Sequence, residues 1–427
     1  MADYIIDKLQ QSSGRITYPI TLTEAVKESN DDSAKSLKEL LLNYGIPIGY
    51  ELYSFKVNLN DSNPQTRITY FDMAEGRRPA FWDYTNGYFN FGDWSHAFFM
   101  QAFPCMVKYD GTVGYKLNSQ NYSLKEDGAT SDYNKPDYEG SAMVAFPTIW
   151  IKRWSDKNFL YVSICNKQLD EDYHAYMHTN KNGTVCRYKY IGMYSSTFVT
   201  DRYKSIADQT ICTSQTFDAD LQYCHANGEN WEMFSWSDFA TISDLLTLIS
   251  KSDNYQKSFG YGYTKAGGAD GNNSNGGIIY AGPFYNSATL NTNSRQKVFH
   301  LHNIFDHLYI KLGGIMYLNG KLFVKPYPEY NSTGLGYEDL DITFEGTSAG
   351  YINKSTVNQY GRFPTKTGGS ATTFECDTLT YANSGVCFGS TASGYGVGDG
   401  SGKMSLQFTA AINSNVYTNR LTCFSVE

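Results

Sequence analysis

The sequence is poor in charge. Asp, Glu, Lys and Arg make up 18% of its 427 residues, and the formal net charge is −8. A general polyanion binder carries a basic excess, so nucleic acid is not an expected partner. No stretch of about 18 apolar residues occurs, so no helix that inserts in a membrane is expected. The opening MADYIIDKLQQ carries acids early and lacks the apolar segment of a secretory leader. The chain is therefore expected to fold in a cytoplasm. Its eight cysteines (105, 165, 186, 212, 224, 376, 387 and 423) include no CxxC pair. That argues against a zinc ribbon and leaves buried free thiols as the expectation.

Catalytic signatures are missing too. There is no GxSxG elbow and no family-type cysteine signature, so no nucleophile is marked. Asp170, Glu171 and Asp172 are consecutive acids and read as a solvated turn. A glycosidase needs two carboxylates at a defined separation across a sugar, and sequence order alone does not reveal such a pair. His174 and His178 are four apart, as on a helix face, and His300 and His302 would share a strand face with His307 close behind. None has a Cys, Asp or Glu at ligand spacing, so neither a metal nor another cofactor is expected.

One stretch imitates a phosphate loop. GVGDGSGKM spans residues 396–404. A P-loop needs Gly, four residues, then Gly-Lys-Ser/Thr, so that its amides wrap the phosphates and its hydroxyl reaches magnesium. Here Val397 occupies the first glycine position and Met404 the hydroxyl position. Residues 403–409 then alternate like a strand instead of opening a helix.

What is abundant is aromatic: 16% of the chain, with 36 tyrosines. Tyrosine beside Asn, Ser and Gly suits adaptable recognition surfaces. It equally suits sheets on which tyrosines simply pack. The first 45 residues differ in texture. Thr21 and Glu24 form a capping box for a short helix. Leu37, Leu40, Leu41 and Tyr44 share one face of a second, with Gly45 in place to end it. From about residue 46 the pattern is β. The pairs Asn86-Gly87, Asp110-Gly111, Asn182-Gly183 and Asn319-Gly320 lie between strand-like runs and tolerate the positive φ of tight hairpins. SWSDFATISDLLTLIS predicts one long helix. Phe239, Ile242, Leu245, Leu246 and Ile249 form its apolar stripe, and Ser235 or Ser237 caps it. TKAGGADGNNSNGG follows as a loop by composition.

Several segments in fixed order carry a resemblance. These are SAMVAFPTIWIKRW (141–154), NGENWEMFSWSDFATISDLLTLISKSDNYQKSFGYG (227–262) and KVFHLHNIFDHLYIKLGGI (297–315). YNSTGLGY, YGRFPTKTGG and a tail marked by Cys376 and Cys423 follow them. Together they resemble the C-type-lectin-fold tail proteins of bacteriophages, including the variable proteins diversified by retroelements. The likeness covers most of residues 66–427 and is strongest after 227. In HLHNIFDH, His302, Phe305 and His307 stand where that family usually carries other residues. The calcium-ligand triplets of animal sugar-binding lectins do not occur, and neither does the cysteine context of formylglycine-generating enzymes.

The resemblance implies an α+β fold with three regions. Residues 1–48 would be a helical attachment or oligomerisation segment, 49–139 a β-rich intermediate region, and 140–427 a C-type-lectin-like domain. It further implies a displayed binding face over 376–423. Gly389, Gly396, Gly400, Leu406 and Leu421 would be its scaffold, with exchangeable residues between them. In KMSLQFT, Met404, Leu406 and Phe408 alternate with Lys403, Ser405, Gln407 and Thr409, so one face is expected buried and the other free. The expected receptor-binding set is Tyr381, Asn383, Tyr395, Asp399, Lys403, Ser405, Gln407, Asn413, Asn415, Tyr417, Asn419 and Arg420. The implied function is attachment of a phage tail tip or fibre to a bacterial surface receptor, protein or glycan. The protein would be assembled in the host cytoplasm and carried on the virion, with other tail proteins bound through the N-terminus. Tail-tip symmetry suggests a homotrimer, although no heptads support one. Two rival readings remain at this point: a tail depolymerase acting on surface glycan, and a structural baseplate or decoration protein.

Overall fold

A computed structural model describes residues 49–260, 282–286, 296–304, 308–382, 385–391, 401–410 and 416–426. The two helices expected before residue 46 and the TKAGGADGNNSNGG segment lie outside these. Within them strands dominate and helices are few.

The chain opens with β1 (Leu52–Asn58), β2 (Ile68–Asp72) and a hairpin of β3 (Phe81–Asp83) and β4 (Tyr88–Asn90). Next come β5 (Phe103–Lys108), β6 (Val113–Asn118), β7 (Asn121–Lys125) and β8 (Gly140–Pro147). Then follow β9 (Trp150–Ser155), β10 (Phe159–Cys165), β11 (Tyr188–Gly192), and the hairpin β12 (Thr197–Val199) and β13 (Arg202–Lys204). Helix α1 (Phe217–His225), β14 (Trp231–Met233), α2 (Trp236–Ser250) and α3 (Tyr255–Phe259) occupy the middle. Short β15 (Tyr285–Asn286), β16 (Gln296–Val298) and β17 (Leu301–His302) lead to β18 (Tyr309–Leu318) and β19 (Lys321–Val324). Thereafter come β20 (Glu338–Asp339), β21 (Ala349–Asn358), β22 (Gly361–Thr367) and β23 (Thr378–Tyr381). The last four are β24 (Val386–Thr391), β25 (Leu406–Thr409), β26 (Tyr417–Thr418) and β27 (Leu421–Phe424).

Three larger sheets organise most of these strands, and β3-β4, β12-β13 and β15-β16-β17 form three small ones. A four-stranded sheet runs β2-β1-β10-β9, and a seven-stranded sheet runs β14-β27-β11-β8-β5-β6-β7. A nine-stranded sheet runs β20-β19-β18-β24-β25-β23-β21-β22, with β26 parallel to β18. No boundary falls between residues 139 and 140. Strands from both sides of that point share the first two sheets, so the expected division into 49–139 and 140–427 is replaced by interleaved halves. The main hydrophobic core is likewise continuous, from Tyr53 and Phe55 through Leu245 to Phe408.

Local chemistry explains the turns and the long helix. The four Asn-Gly and Asp-Gly pairs singled out above sit where the chain reverses: between β3 and β4, β5 and β6, the bridged residues Thr179 and Val185, and β18 and β19. At the last, Asn319 (φ 49°) and Gly320 (φ 89°) both take the left-handed conformation that a two-residue hairpin demands. For α2, Ser235 is the cap, and it forms a reciprocal capping box with Asp238. All fifteen residues of α2 are buried, not only the apolar stripe. Its polar side chains tolerate this by bonding back onto the helix. Ser243 Oγ donates to Phe239 O (2.7 Å), Thr247 Oγ1 to Ser243 O (2.9 Å) and Ser250 Oγ to Leu246 O (2.7 Å). Its Asp244 pairs with buried Arg153 at 2.7 Å. Each large apolar side chain of the stripe contributes roughly 1.5–3 kcal/mol by leaving water.

Candidate functional site in the C-terminal segment

The segment 376–423 is woven through the fold. β23, β24 and β25 lie side by side within the nine-stranded sheet, β26 joins β18, and β27 enters the other large sheet. β25 pairs parallel with β23 and antiparallel with β24, so it is an interior strand.

This placement changes the expected binding face. Asn383, Tyr395, Asp399, Asn413 and Asn415 lie outside the described residues. Of the other seven, Tyr381, Lys403, Ser405, Tyr417, Asn419 and Arg420 are buried and Gln407 is half-buried. The strand expected over 403–409 begins only at Leu406, because Gly402–Ser405 forms a turn first. Ser405 N donates to Gly402 O at 3.1 Å, while Ser405 Oγ accepts from Gly402 N at 2.9 Å. Residues 403 and 405 therefore do not share the outer face that simple alternation assigns them.

Each buried polar residue has a role in the interior. Tyr381 packs on Phe344 with ring centroids 4.9 Å apart. Tyr417 stacks on Tyr309 at 5.0 Å, and its hydroxyl accepts from Gln407 Nε2 at 2.8 Å. Arg420 donates to the carbonyls of Gly192 (2.6 Å) and His302. Asn419 Oδ1 lies 3.7 Å from the Cys224 thiol.

Lys403 belongs to a buried ionic cluster. Its Nζ is 2.8 Å from Asp253 Oδ1, and neither side chain is exposed. Arg362 clamps the same carboxylate with both terminal nitrogens, each at 3.1 Å. Arg67 stands 3.6 Å from Asp253 and 3.4 Å from Glu375, and Arg362 is 3.5 Å from Glu375. Burial pushes the Asp253 carboxyl up, but Arg362, Lys403 and Arg67 overcome that and hold it well below the usual carboxylate range. Nearby Asp377 accepts from Met404 N (2.8 Å) and Gln256 Nε2 (3.1 Å). Burial raises it to about 7 despite the opposing pull of Lys403 and those hydrogen bonds. A Cβ on Gly402 would lie 2.3 Å from Asp377 Oδ1. The Gly402-Lys403 pair is therefore a packing joint. Its lysine is spent on a carboxylate and its glycine on a close approach.

The cluster ties distant parts of the chain to the C-terminal segment. Asp253 N donates to Pro64 O (2.9 Å), and Phe374 N donates to Ser62 O (2.7 Å). Sequence reasoning did not find it, because its members are scattered from residue 67 to residue 403 without a spacing that links them. Other buried acids face cations in the same manner, as with Asp220 and Lys311 at 2.5 Å.

The histidines differ from their expected arrangement. His174 bridges to Ile151 in an extended segment and His178 sits in a short 3-10 turn, so the two do not share a helix face. Burial drives the His178 ring down to about 3, so it is neutral. His300 has a positive φ and accepts or donates at 2.6 Å to the Tyr122 hydroxyl, while His302 lies in β17. His307 lies outside the described residues. Asp170 and Asp172 both reach Lys152, at 3.1 and 2.7 Å, as an exposed ion pair. Seven cysteines are buried, Cys212 is half-buried, and all eight are free. Among the described residues no cluster of three or more His, Cys, Asp or Glu is placed to hold a metal ion, and no helix is long and apolar enough to cross a membrane. No family model matches this sequence, and no curated protein matches it.

Proposed function

We propose that the protein is a bacteriophage tail protein with a C-type-lectin-like C-terminal region, which attaches the virion to a receptor on the bacterial surface. The observation that carries this reading is the firm anchoring of the described part of 376–423. Most of its described residues are buried, its strands sit inside two large sheets, and Lys403 is ion-paired to buried Asp253. A frame held this firmly supports exchange of the residues it carries without loss of the fold. Of the expected contact set, Asn383, Tyr395, Asp399, Asn413 and Asn415 are kept as the proposed contact residues. Tyr381, Lys403, Ser405, Tyr417, Asn419 and Arg420 become frame residues, and Gln407 supports Tyr417. The mechanism is binding without covalent chemistry, multiplied by several copies per virion into avidity. A homotrimer at the tail tip or fibre, held to other tail proteins through residues 1–48, fits that mechanism.

A pull-down of the purified chain on a broad panel of bacterial cells tests the proposal. Binding to at least one strain is expected. Simultaneous alanine replacement of the five contact residues should abolish that binding while leaving the thermal transition unchanged. Binding that survives the fivefold variant, or no binding to any strain, refutes it.

A further inference from the structure

A cavity of about 490 Å³ lies between the β3–β4 hairpin and the end of α2, far in sequence from 376–423. That volume falls within the usual range for small-ligand sites, roughly 300–1,000 Å³. We propose that it binds a carboxylate-bearing sugar residue, as a second recognition site independent of the C-terminal segment.

The walls are tied together before any ligand arrives. Ala80 N donates to Ile249 O at 2.7 Å, joining the hairpin to α2. The Tyr84 hydroxyl donates to Gln256 O at 2.9 Å, joining it to α3. Lys251 ends α2 in the left-handed conformation, with its N–H on Thr247 O. A site preformed in this way spares a ligand the entropy cost of ordering it.

The lining has the chemistry of a sugar site. Phe81 contributes an aromatic ring 41% exposed. Aromatic faces are electron-rich, so they attract the weakly positive C–H groups of a pyranose face. Tyr84, Thr85, Ser252 and Gln65 add hydroxyl and amide groups along the same cavity. The charge balance then selects for an anion. Lys251 and Lys257 line the cavity with a single acid, Asp83. Both oxygens of Asp83 are engaged in its own turn, with Thr85 N, Asn86 N and Asn86 Nδ2. Lys251 is partly committed, its Nζ lying 5.1 Å from the Tyr70 ring centre. Lys257 is exposed and has no carboxylate within ion-pair distance among the described residues. An incoming carboxylate would meet that ammonium.

Ligand-observed saturation-transfer NMR on the purified full chain tests this with three probes: glucuronic acid, glucose and acetate. Glucuronic acid should bind more tightly than glucose, and acetate should give no measurable binding. Phe81→Ala should weaken both sugars. Lys257→Glu should weaken glucuronic acid by about fivefold, the upper end for an exposed ion pair, and leave glucose within about twofold. Both substitutions are at exposed positions, and a far-UV spectrum matching the parent shows that the variants fold. Equal affinity for the two sugars, acetate binding as tight as glucuronic acid, or indifference to both substitutions overturns the proposal. None of these outcomes depends on residues 376–423, so failure here is distinct from failure of the receptor reading.

Discussion

Replacing Asp253 with asparagine should be far more damaging than replacing its partner Lys403 with methionine. Three cations, Arg67, Arg362 and Lys403, surround Asp253 and Glu375, and all five side chains are at most 1% exposed. Asp253→Asn leaves Glu375, with a partly protonated Asp377 beside Lys403, against three buried positive charges. Stranding one buried charge costs about 3–5 kcal/mol. Lys403→Met instead leaves two arginines facing two carboxylates, with a linear apolar side chain in the lysine's place. The lost charge-assisted hydrogen bond, about 1.5–3 kcal/mol, is largely offset by the relief of burying one ammonium fewer. A net loss of about 1 kcal/mol is expected for that variant. The double variant should recover part of the Asp253→Asn loss, because it restores some of the balance. Urea unfolding at pH 7, followed by tryptophan fluorescence, measures all three, and urea avoids the screening that guanidinium would add. The pH dependence has a defined sign. Asp253 is depressed in the fold, so its stabilisation is present above about pH 4 and is lost as pH falls toward its folded value. The Asn variant should lack that acid-side loss. Equal damage from the two single substitutions would refute the reasoning.

Other substitutions probe the same frame. Gly402→Ala should cost about 1–3 kcal/mol through overpacking, since its Cβ meets the Asp377 carboxylate. A double-mutant cycle with Asp377→Ala should then show positive coupling, and strict additivity would contradict the clash. Asp377 is raised to about 7, so the folded state holds a proton that the unfolded chain releases near pH 4. Its contribution to stability therefore falls as pH rises from about 4 to 7, and urea midpoints of Asp377→Asn should lack that slope. Trp236 donates from Nε1 to Tyr360 O at 2.8 Å and stacks on Phe363 at 4.7 Å. Trp236→Ala should cost about 3–5 kcal/mol, and Trp236→Phe about 1–3 kcal/mol from the orphaned carbonyl, as read by chemical unfolding.

What the sequence discloses here is mostly local. Asn319-Gly320 announces its hairpin because few residues accept two consecutive positive φ angles. Ser235 and Ser237 both mark the start of α2 in the sequence, and the fold selects Ser235, whose side chain and that of Asp238 accept from each other's backbone amides. Apolar cysteines without motif spacing correctly suggest free thiols. Alternation fails where tertiary partners decide burial. Lys403 reads as solvent-facing until Asp253 and the neighbouring arginines supply its environment. Tyr381 and Tyr417 read as recognition residues because composition cannot tell a tyrosine on a surface from one stacked on Phe344 or Tyr309. The cavity beside Phe81 was hidden for the same reason: its walls come from three separate stretches of chain that only the fold brings together.

The position of β27 has a consequence for biogenesis. It fills the slot between β14 and β11, pairing with both. During vectorial synthesis those two strands emerge from the ribosome well before the one that joins them. Until residue 424 is available, each presents an unpaired backbone edge, the kind of surface that recruits other chains. A chain that stops near residue 420 should therefore aggregate, because both of those edges stay open.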